Sequence, residues 1–167
     1  MNNENATGIE YRDVLEQWQN IRPDLDCSSM GVVGRLRRTS NVWQSKLDRL
    51  FKEHGLSSIE FDILATMRRS EPSGITPTEL YKTLMLSSGA VSTRLEHLVQ
   101  EELVERVFSE NDRRSCKVSL TSKGIEVIDT TLNSHVKNME SMLNILTSTE
   151  RNKLESLLRK VLACEEN

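Results

Sequence analysis

The feature that most constrains the fold is a pair of short helices separated only by the tight turn MLSS. The first starts at TPTELYKTL, where Thr76 is a preferred N-cap residue, Pro77 suits the first helical position and Glu79 completes a capping box. The second, SGAVSTRLEHLVQEE, repeats apolar residues at helical spacing: Val91, Leu95, Leu98 and Val99. Two helices with so short a connection predict a helix-turn-helix.

A change of period follows Leu103. In VERVF, and again in CKVSL, the residues alternate between two faces, which is the pattern of a strand rather than of a helix. The polar residues between these two runs include Asp112, Arg113 and Arg114 side by side. The sequence therefore predicts a β-hairpin, or wing, directly after the helix-turn-helix, with two adjacent arginines at its tip.

Helical patterns flank this module on both sides. On the N-terminal side we predict one helix over Ile9 to Ile21, a second from Ser28 or Ser29 to Gly55, and a third that starts after a capping box of Ser57 and Glu60. On the C-terminal side we predict one helix from Ser122 onward and another from Thr147 onward. The apolar stripes of the first two and last two helices exceed what one winged module needs for its own core, so we expect them to face a second subunit. The predicted fold class is mainly α with a small β-hairpin wing, a winged helix-turn-helix whose N- and C-terminal helices form a homodimer interface. The predicted segments are a disordered 1–8, N-terminal helices at 9–55, the winged helix-turn-helix at 56–121 and dimerisation helices at 122–167.

Composition narrows the function classes. The 167 residues carry a formal net charge of -3, so any surface that binds a polyanion must be a local one. Three cysteines and three histidines occur at no metal-ligand spacing, and no nucleophile, base and orienting group stand together. We expect no metal, no cofactor and no catalytic residues. The chain start lacks a signal-peptide pattern and no apolar run approaches the roughly 20 residues of a membrane span, which predicts a cytoplasmic protein without a membrane partner.

The second helix of the helix-turn-helix offers a small, polar face, which allows close approach to base edges and predicts double-stranded DNA as a partner. At the wing tip, Asp112 is expected to hold one arginine extended while Arg113 or Arg114 enters the minor groove. In the alternative interpretation the charged bend only keeps an edge strand from pairing. The predicted DNA-contacting residues are Thr76, Thr78, Ser87, Ser88, Ala90, Ser92, Thr93, Arg94, Asp112, Arg113 and Arg114.

Taken together, these motifs resemble the MarR family of winged-helix transcription regulators. The resemblance runs from about Met30 to Ala163 and is most specific in LSSIEFDILATMRRS, in the helix-turn-helix, and in NDRRSCKVSLTSKG with its D-R-R bend and closing L-T-x-x-G. It implies a homodimer whose recognition helices occupy the major grooves of a pseudo-palindromic site, whose wings reach minor grooves, and whose DNA binding is weakened by a small ligand. The expected role is that of a repressor, with a part in stress responses.

The chain resembles one branch of that family more closely, the urate-responsive and PecS-like members. Their ligand site is matched in order by Trp18 in EQWQNIRPDLD, Asp62 after the E-F pair, Arg94 in the recognition helix and Arg106 at the start of the wing. The resemblance implies that residues 9–55 form one wall of this site, and that the effector is urate, salicylate or another aromatic acid. The same residues also allow a structural interpretation, with Trp18 in packing, Asp62 and Arg94 in an ion pair, and Arg106 on a phosphate.

Two other functions stay open at this point. Cys27, or Cys116 on the wing, would sense oxidation in a thiol-based regulator of the same fold, although Asp24 and Asp26 beside Cys27 disfavour a thiolate. A helical protein-interaction module without DNA binding would explain the long apolar stripes. It would leave the wing arginines and the small-residue helix face without a purpose.

Overall fold

The computed structural model describes residues 11–70, 74–108 and 116–165. Within these ranges the chain forms seven helices and one two-stranded sheet, so the predicted class, mainly α with a β-hairpin wing, is confirmed. In chain order the elements are α1 (Tyr11–Ile21), α2 (Ser28–Glu53), α3 (Ser58–Arg69), α4 (Pro77–Leu84), α5 (Ser88–Gln100), β1 (Val104–Phe108), β2 (Cys116–Leu120), α6 (Ser122–Leu143) and α7 (Ser148–Glu165). The chain divides into two compact units, Met1–Lys46 and Leu47–Asn167.

The first unit contains α1 and most of α2. Helix α1 ends at Ile21 as predicted, whereas its predicted start at Ile9 and the segment 1–8 lie outside the described residues. The two helices approach closely at Gly31, where a Cβ would come within 2.9 Å of Leu15 Cδ1. Several large apolar side chains of α2 nevertheless remain exposed: Met30, Val32, Val33, Leu36 and Val42.

Three helices of the second unit begin with the capping boxes that the sequence predicts. In each, a glutamate carboxylate accepts hydrogen bonds from the backbone N–H and the hydroxyl of the N-cap residue, and that hydroxyl accepts a bond from the glutamate N–H. The pairs are Ser57 with Glu60 for α3, Thr76 with Glu79 for α4, and Thr147 with Glu150 for α7. Each N-cap contributes on the order of 1 kcal/mol to stability, so the sequence defines these helix starts locally.

Left-handed backbone marks both ends of the predicted recognition helix. Met85, in the turn between α4 and α5, has φ 52, and Glu102, just after α5, has φ 59. Glycine adopts this conformation without cost, whereas other residues lose on the order of 1 kcal/mol. The Leu103 N–H donates to Leu98 O at 2.9 Å across the second turn, which closes the end of α5.

The sheet is the predicted hairpin, antiparallel, with Val104 opposite Leu120 and Arg106 opposite Val118. Its predicted bend, including Asp112, Arg113 and Arg114, lies outside the described residues. One pairing was not predicted: Ile75, just before α4, bridges Val118, with both backbone hydrogen bonds present at 3.1 and 2.9 Å. This bridge ties the start of the helix-turn-helix to the base of the wing.

The closing L-T-x-x-G motif ties the wing to the end of α5. Thr121 caps α6 by accepting a hydrogen bond from the Gly124 N–H at 3.0 Å, and its hydroxyl donates to Glu102 O at 2.7 Å. Gly124 lies directly against the backbone, because a Cβ there would fall 2.0 Å from Leu103 O. Only glycine fits at this contact.

The core of the second unit lies where α3, α4, α5, β2 and the first half of α6 meet. Its fully buried side chains include Ile63, Leu64, Leu80, Leu98, Val118 and Ile128. Further along the chain the pattern changes, because α6 and α7 keep apolar side chains exposed. They include Leu132, Val136, Met139, Leu157, Val161 and Leu162. None of the described helices has the length and apolar character needed to cross a membrane.

Candidate nucleic-acid interface and effector site

Helix α5 turns one face to the core and leaves the opposite face open. Its core stripe is Val91, Leu95 and Leu98, all buried. Ser88, Ser92 and Thr93 are exposed, Ala90 is half-buried, and a Cβ on Gly89 would meet nothing within 4 Å. A helix face of small residues with free space around it can enter a major groove closely.

Two of the predicted DNA-contacting residues also hold the local backbone. Ser87 Oγ accepts a hydrogen bond from the Ala90 N–H at 3.3 Å and thereby caps α5. Thr76 donates its N–H and its hydroxyl to Glu79 at 2.8 Å each, which lowers the pKa of that carboxyl. Thr78, by contrast, is exposed on the first turn of α4. Ser87 is exposed as well as capping α5, whereas Thr76 is half-buried and positions the start of α4.

Arg94 lies against Glu60. Its Nη1 is 3.8 Å from Glu60 Oε1, and His97 Nδ1, one turn further along α5, is 2.9 Å from the same oxygen. Glu60 is buried, with 3% of its surface exposed. Burial opposes its ionisation, but the Ser57 hydrogen bonds and His97 outweigh that effect and hold the pKa of Glu60 below its ordinary value.

Asp62, rather than Glu60, was the acidic residue that we expected near Arg94. Asp62 is exposed, and among the described residues no ion pair joins it to Arg94. Partial burial of the carboxylate raises the pKa of Asp62, and the nearby Arg69 and His135 oppose that shift. Sequence reasoning missed Glu60 because the sequence marks it only as a capping residue.

The other members of the predicted effector site lie on different elements. Arg106 is exposed on β1, and Trp18, with 40% of its surface exposed, lies on α1 in the first unit. Asp62 and Arg94 belong with Arg106 to the second unit. A site that includes all four stays a prediction.

An aromatic cluster that the sequence did not predict lies beside Asp62. The ring of His135, on α6, lies 4.8 Å from Phe61 and 5.4 Å from Phe51, centroid to centroid, and the two phenyl rings stack at 4.2 Å. Burial lowers the pKa of His135, an effect that Asp62 opposes. Its Nδ1 is buried, and no hydrogen-bond partner for it exists in the described structure.

No disulfide joins the three cysteines. Cys27 and Cys116 are half-buried and Cys164 is exposed, and all three are free. Within the described ranges no three histidine, cysteine or acidic side chains are grouped as metal ligands would be.

Comparison with known proteins now decides the family. Residues 54–115 match the model of the MarR family. Over 157 residues the chain is 38% identical to the HTH-type transcriptional regulator PecS of Dickeya dadantii (strain 3937), with 93% of this chain and 95% of that protein covered. The chain belongs to the MarR family of transcriptional regulators.

Solved structures of MarR-family proteins share its fold. AbsC, a MarR family transcriptional regulator from Streptomyces coelicolor, superposes with a TM-score of 0.75 at 20% identity and covers 85% of this chain and 97% of that one. A mutant MarR from E. coli, complexed with operator DNA, superposes with a TM-score of 0.67 at 28% identity. The match covers 87% of this chain and 97% of that one. As a MarR-family member the chain is a DNA-binding transcription regulator and not an enzyme.

Proposed function

We propose that the protein is a homodimeric repressor in the cytoplasm that binds a pseudo-palindromic operator and is released by a small aromatic or purine-like ligand. One observation carries this proposal. Helix α5 is capped at its start and exposes a face of small residues, and contacts of Thr121 and Gly124 join its end to the wing. Such a frame presents a helix and a hairpin as one rigid DNA-binding surface.

The dimer is supported by apolar side chains that a single chain leaves in water. On α7, Val161 and Leu162 are 54% and 59% exposed, and α2 and α6 carry further examples. Exposed apolar side chains that recur along a helix are typical of an interface between subunits. Two copies would offer two recognition helices to half-sites about one helical turn apart.

DNA recognition is assigned to α5 and the wing. Ser88, Ala90, Ser92 and Thr93 would face base edges, with Ser87, Thr76 and Thr78 near the backbone and Arg94 at the flank of the helix. Asp112, Arg113 and Arg114 lie outside the described residues, and their minor-groove contact rests on the sequence pattern alone. Their replacement by alanine would weaken binding to every site and reduce the salt dependence.

The effector site is assigned to Trp18, Asp62, Arg94 and Arg106. An anionic aromatic ligand suits two arginines, and the indole of Trp18 could stack on it. Because coupling between two sites is reciprocal, such a ligand must bind free protein more tightly than the DNA complex. Titration of urate and salicylate against the DNA complex tests this class of ligand. If neither lowers DNA affinity, the assignment is wrong.

A DNA selection from random duplexes tests the function as a whole. The full chain is expected to enrich an inverted repeat with half-site centres roughly 10 base pairs apart. Enrichment of single, unrepeated sites, or of none at low salt, would contradict the proposed operator.

A further inference from the structure

Glu60 uses its two carboxylate oxygens for different contacts. Oε2 accepts hydrogen bonds from the Ser57 N–H and hydroxyl, each at 2.7 Å, and so completes the capping box of α3. Oε1 faces α5, 2.9 Å from His97 Nδ1 and 3.8 Å from Arg94 Nη1. The same side chain therefore links the start of α3 to the flank of the recognition helix.

Capping alone does not require the second contact. Glu150 makes the same two bonds to Thr147, at 2.8 Å each, and it stays exposed. In the part of the chain that the structure describes, no basic side chain pairs with Glu150. The burial of Glu60 against two basic-type residues of α5 is thus additional to its role as a cap.

We propose that Glu60 is a positioning residue that neutralises Arg94 and thereby limits binding to non-specific DNA. The proposal rests on α5 being the recognition helix, as the proposed function has it. Arg94 then carries an internal counter-anion, and it adds a phosphate contact only when its contact with Glu60 is given up.

The geometry suits such an exchange. At 3.8 Å the contact of Arg94 with Glu60 is an ion pair but too long for a hydrogen bond, and the Arg94 side chain is 45% exposed. An ion pair of this kind is weak enough for a phosphate to replace the carboxylate, but breaking the pair reduces the net gain from that phosphate contact. Ser57 holds Oε2 of the buried carboxylate through two hydrogen bonds, while Oε1 lies 2.9 Å from His97 and has no hydrogen-bond partner in the described structure. Glu60 therefore remains fixed whether or not Arg94 stays with it.

The test replaces Glu60 by glutamine, which can still accept the capping hydrogen bond but carries no charge. Affinity of the full chain for a mixed-sequence duplex is measured by fluorescence anisotropy over a salt series. We expect E60Q to bind this duplex severalfold more tightly at low salt, with a logarithmic salt slope steeper by about 0.9, the increment for one added phosphate contact. E150Q, which removes the charge from an equivalent cap, is the matched control and should change neither quantity.

Arg94→Gln identifies the side chain responsible and does not depend on the folding of E60Q. Alone, R94Q should lower the salt slope by less than it does in the E60Q background, because Glu60 already neutralises part of the charge of Arg94. In the E60Q background it should abolish the gain in affinity. A slope that falls by about 0.9 in R94Q alone would mean that Arg94 already contacts phosphate, and would overturn the proposal.

Two further results would contradict the account in different ways. If the double variant E60Q/R94Q still binds the mixed-sequence duplex more tightly than the wild type, the higher affinity would reflect the loss of negative charge in general and not the release of Arg94. Unchanged or weaker DNA binding by E60Q, measured at a temperature at which E60Q remains folded, would show that Glu60 acts only as a helix cap. Both leave operator binding by the wild type intact, whereas a wild-type chain that binds no duplex contradicts the proposed function too.

Discussion

The winged module and the terminal helix α7 bury their apolar residues to very different extents. In the module Leu80 and Leu98 are 0% exposed, while on α7 Leu162 is 59% exposed. Both regions have the same helical repeat of apolar residues, so the pattern alone does not distinguish a core from an interface. The difference shows that the module buries its core within one chain, and it supports the proposal that a second chain covers α7.

Breaking the module from within should have the largest effect. Gly124→Ala places a Cβ 2.0 Å from Leu103 O, and the joint between α5, the wing and α6 must open to accept it. We expect a loss of about 3 kcal/mol or more in the free energy of unfolding, measured by urea denaturation. Gly89→Ala is the control, because its Cβ would meet nothing within 4 Å and alanine favours helix. Equal stability of G124A and the wild type would refute the close contact.

The open face of α7 can be tested by adding charge to it. Leu162→Glu should leave the winged module folded but weaken self-association by about 2 kcal/mol, roughly thirtyfold, because apolar burial is replaced by a buried charge. Sedimentation over a concentration series measures the change. Ile145, 82% exposed between α6 and α7, offers a control in Ile145→Glu. The same dissociation in both variants would mean that the α7 stripe is not the interface.

Acid should weaken the module through Glu60. Because its folded pKa lies below the ordinary value, Glu60 stabilises the fold above the pKa it has in the unfolded chain, near 4.3, and this contribution is lost as the pH falls through the folded pKa. The free energy of unfolding of E60Q should therefore decline less steeply below about pH 4.3 than that of the wild type.

The smallest expected effect is a gain in stability at Glu102. Glu102 adopts φ 59, a conformation that glycine takes without cost. Glu102→Gly should raise the melting temperature slightly, with a gain of about 0.5–1 kcal/mol, since the cost of the left-handed residue outweighs the extra freedom of glycine in the unfolded chain. A lower melting temperature would show that the glutamate side chain contributes more than its backbone costs.

Local signals made much of this fold predictable. A capping box joins residues three apart, and a strand is defined by alternation over five residues, so Thr76, Glu79 and the VERVF run were sufficient to locate α4 and β1. The Ile75 bridge to Val118 leaves no such pattern, because a single paired residue has no period. Contacts of that kind depend on the tertiary arrangement and leave no local signal in the sequence.

The candidate site was less predictable for the same reason. Asp62 and Glu60 are two residues apart on one helix, and which of them meets Arg94 depends on how α3 packs against α5. The sequence suggested Asp62 and the structure pairs Arg94 with Glu60. His135 is also far in sequence from Phe51 and Phe61, so its place beside their rings could not be deduced from spacing.

Native mass spectrometry of the protein with a selected inverted-repeat duplex tests the central claim most directly. The account predicts one duplex bound by two chains, and a half-site duplex bound much more weakly at the same protein concentration. A complex of one chain per duplex, with equal affinity for the half-site and the full repeat, would contradict the proposal that the exposed apolar stripes bring two winged modules onto one operator.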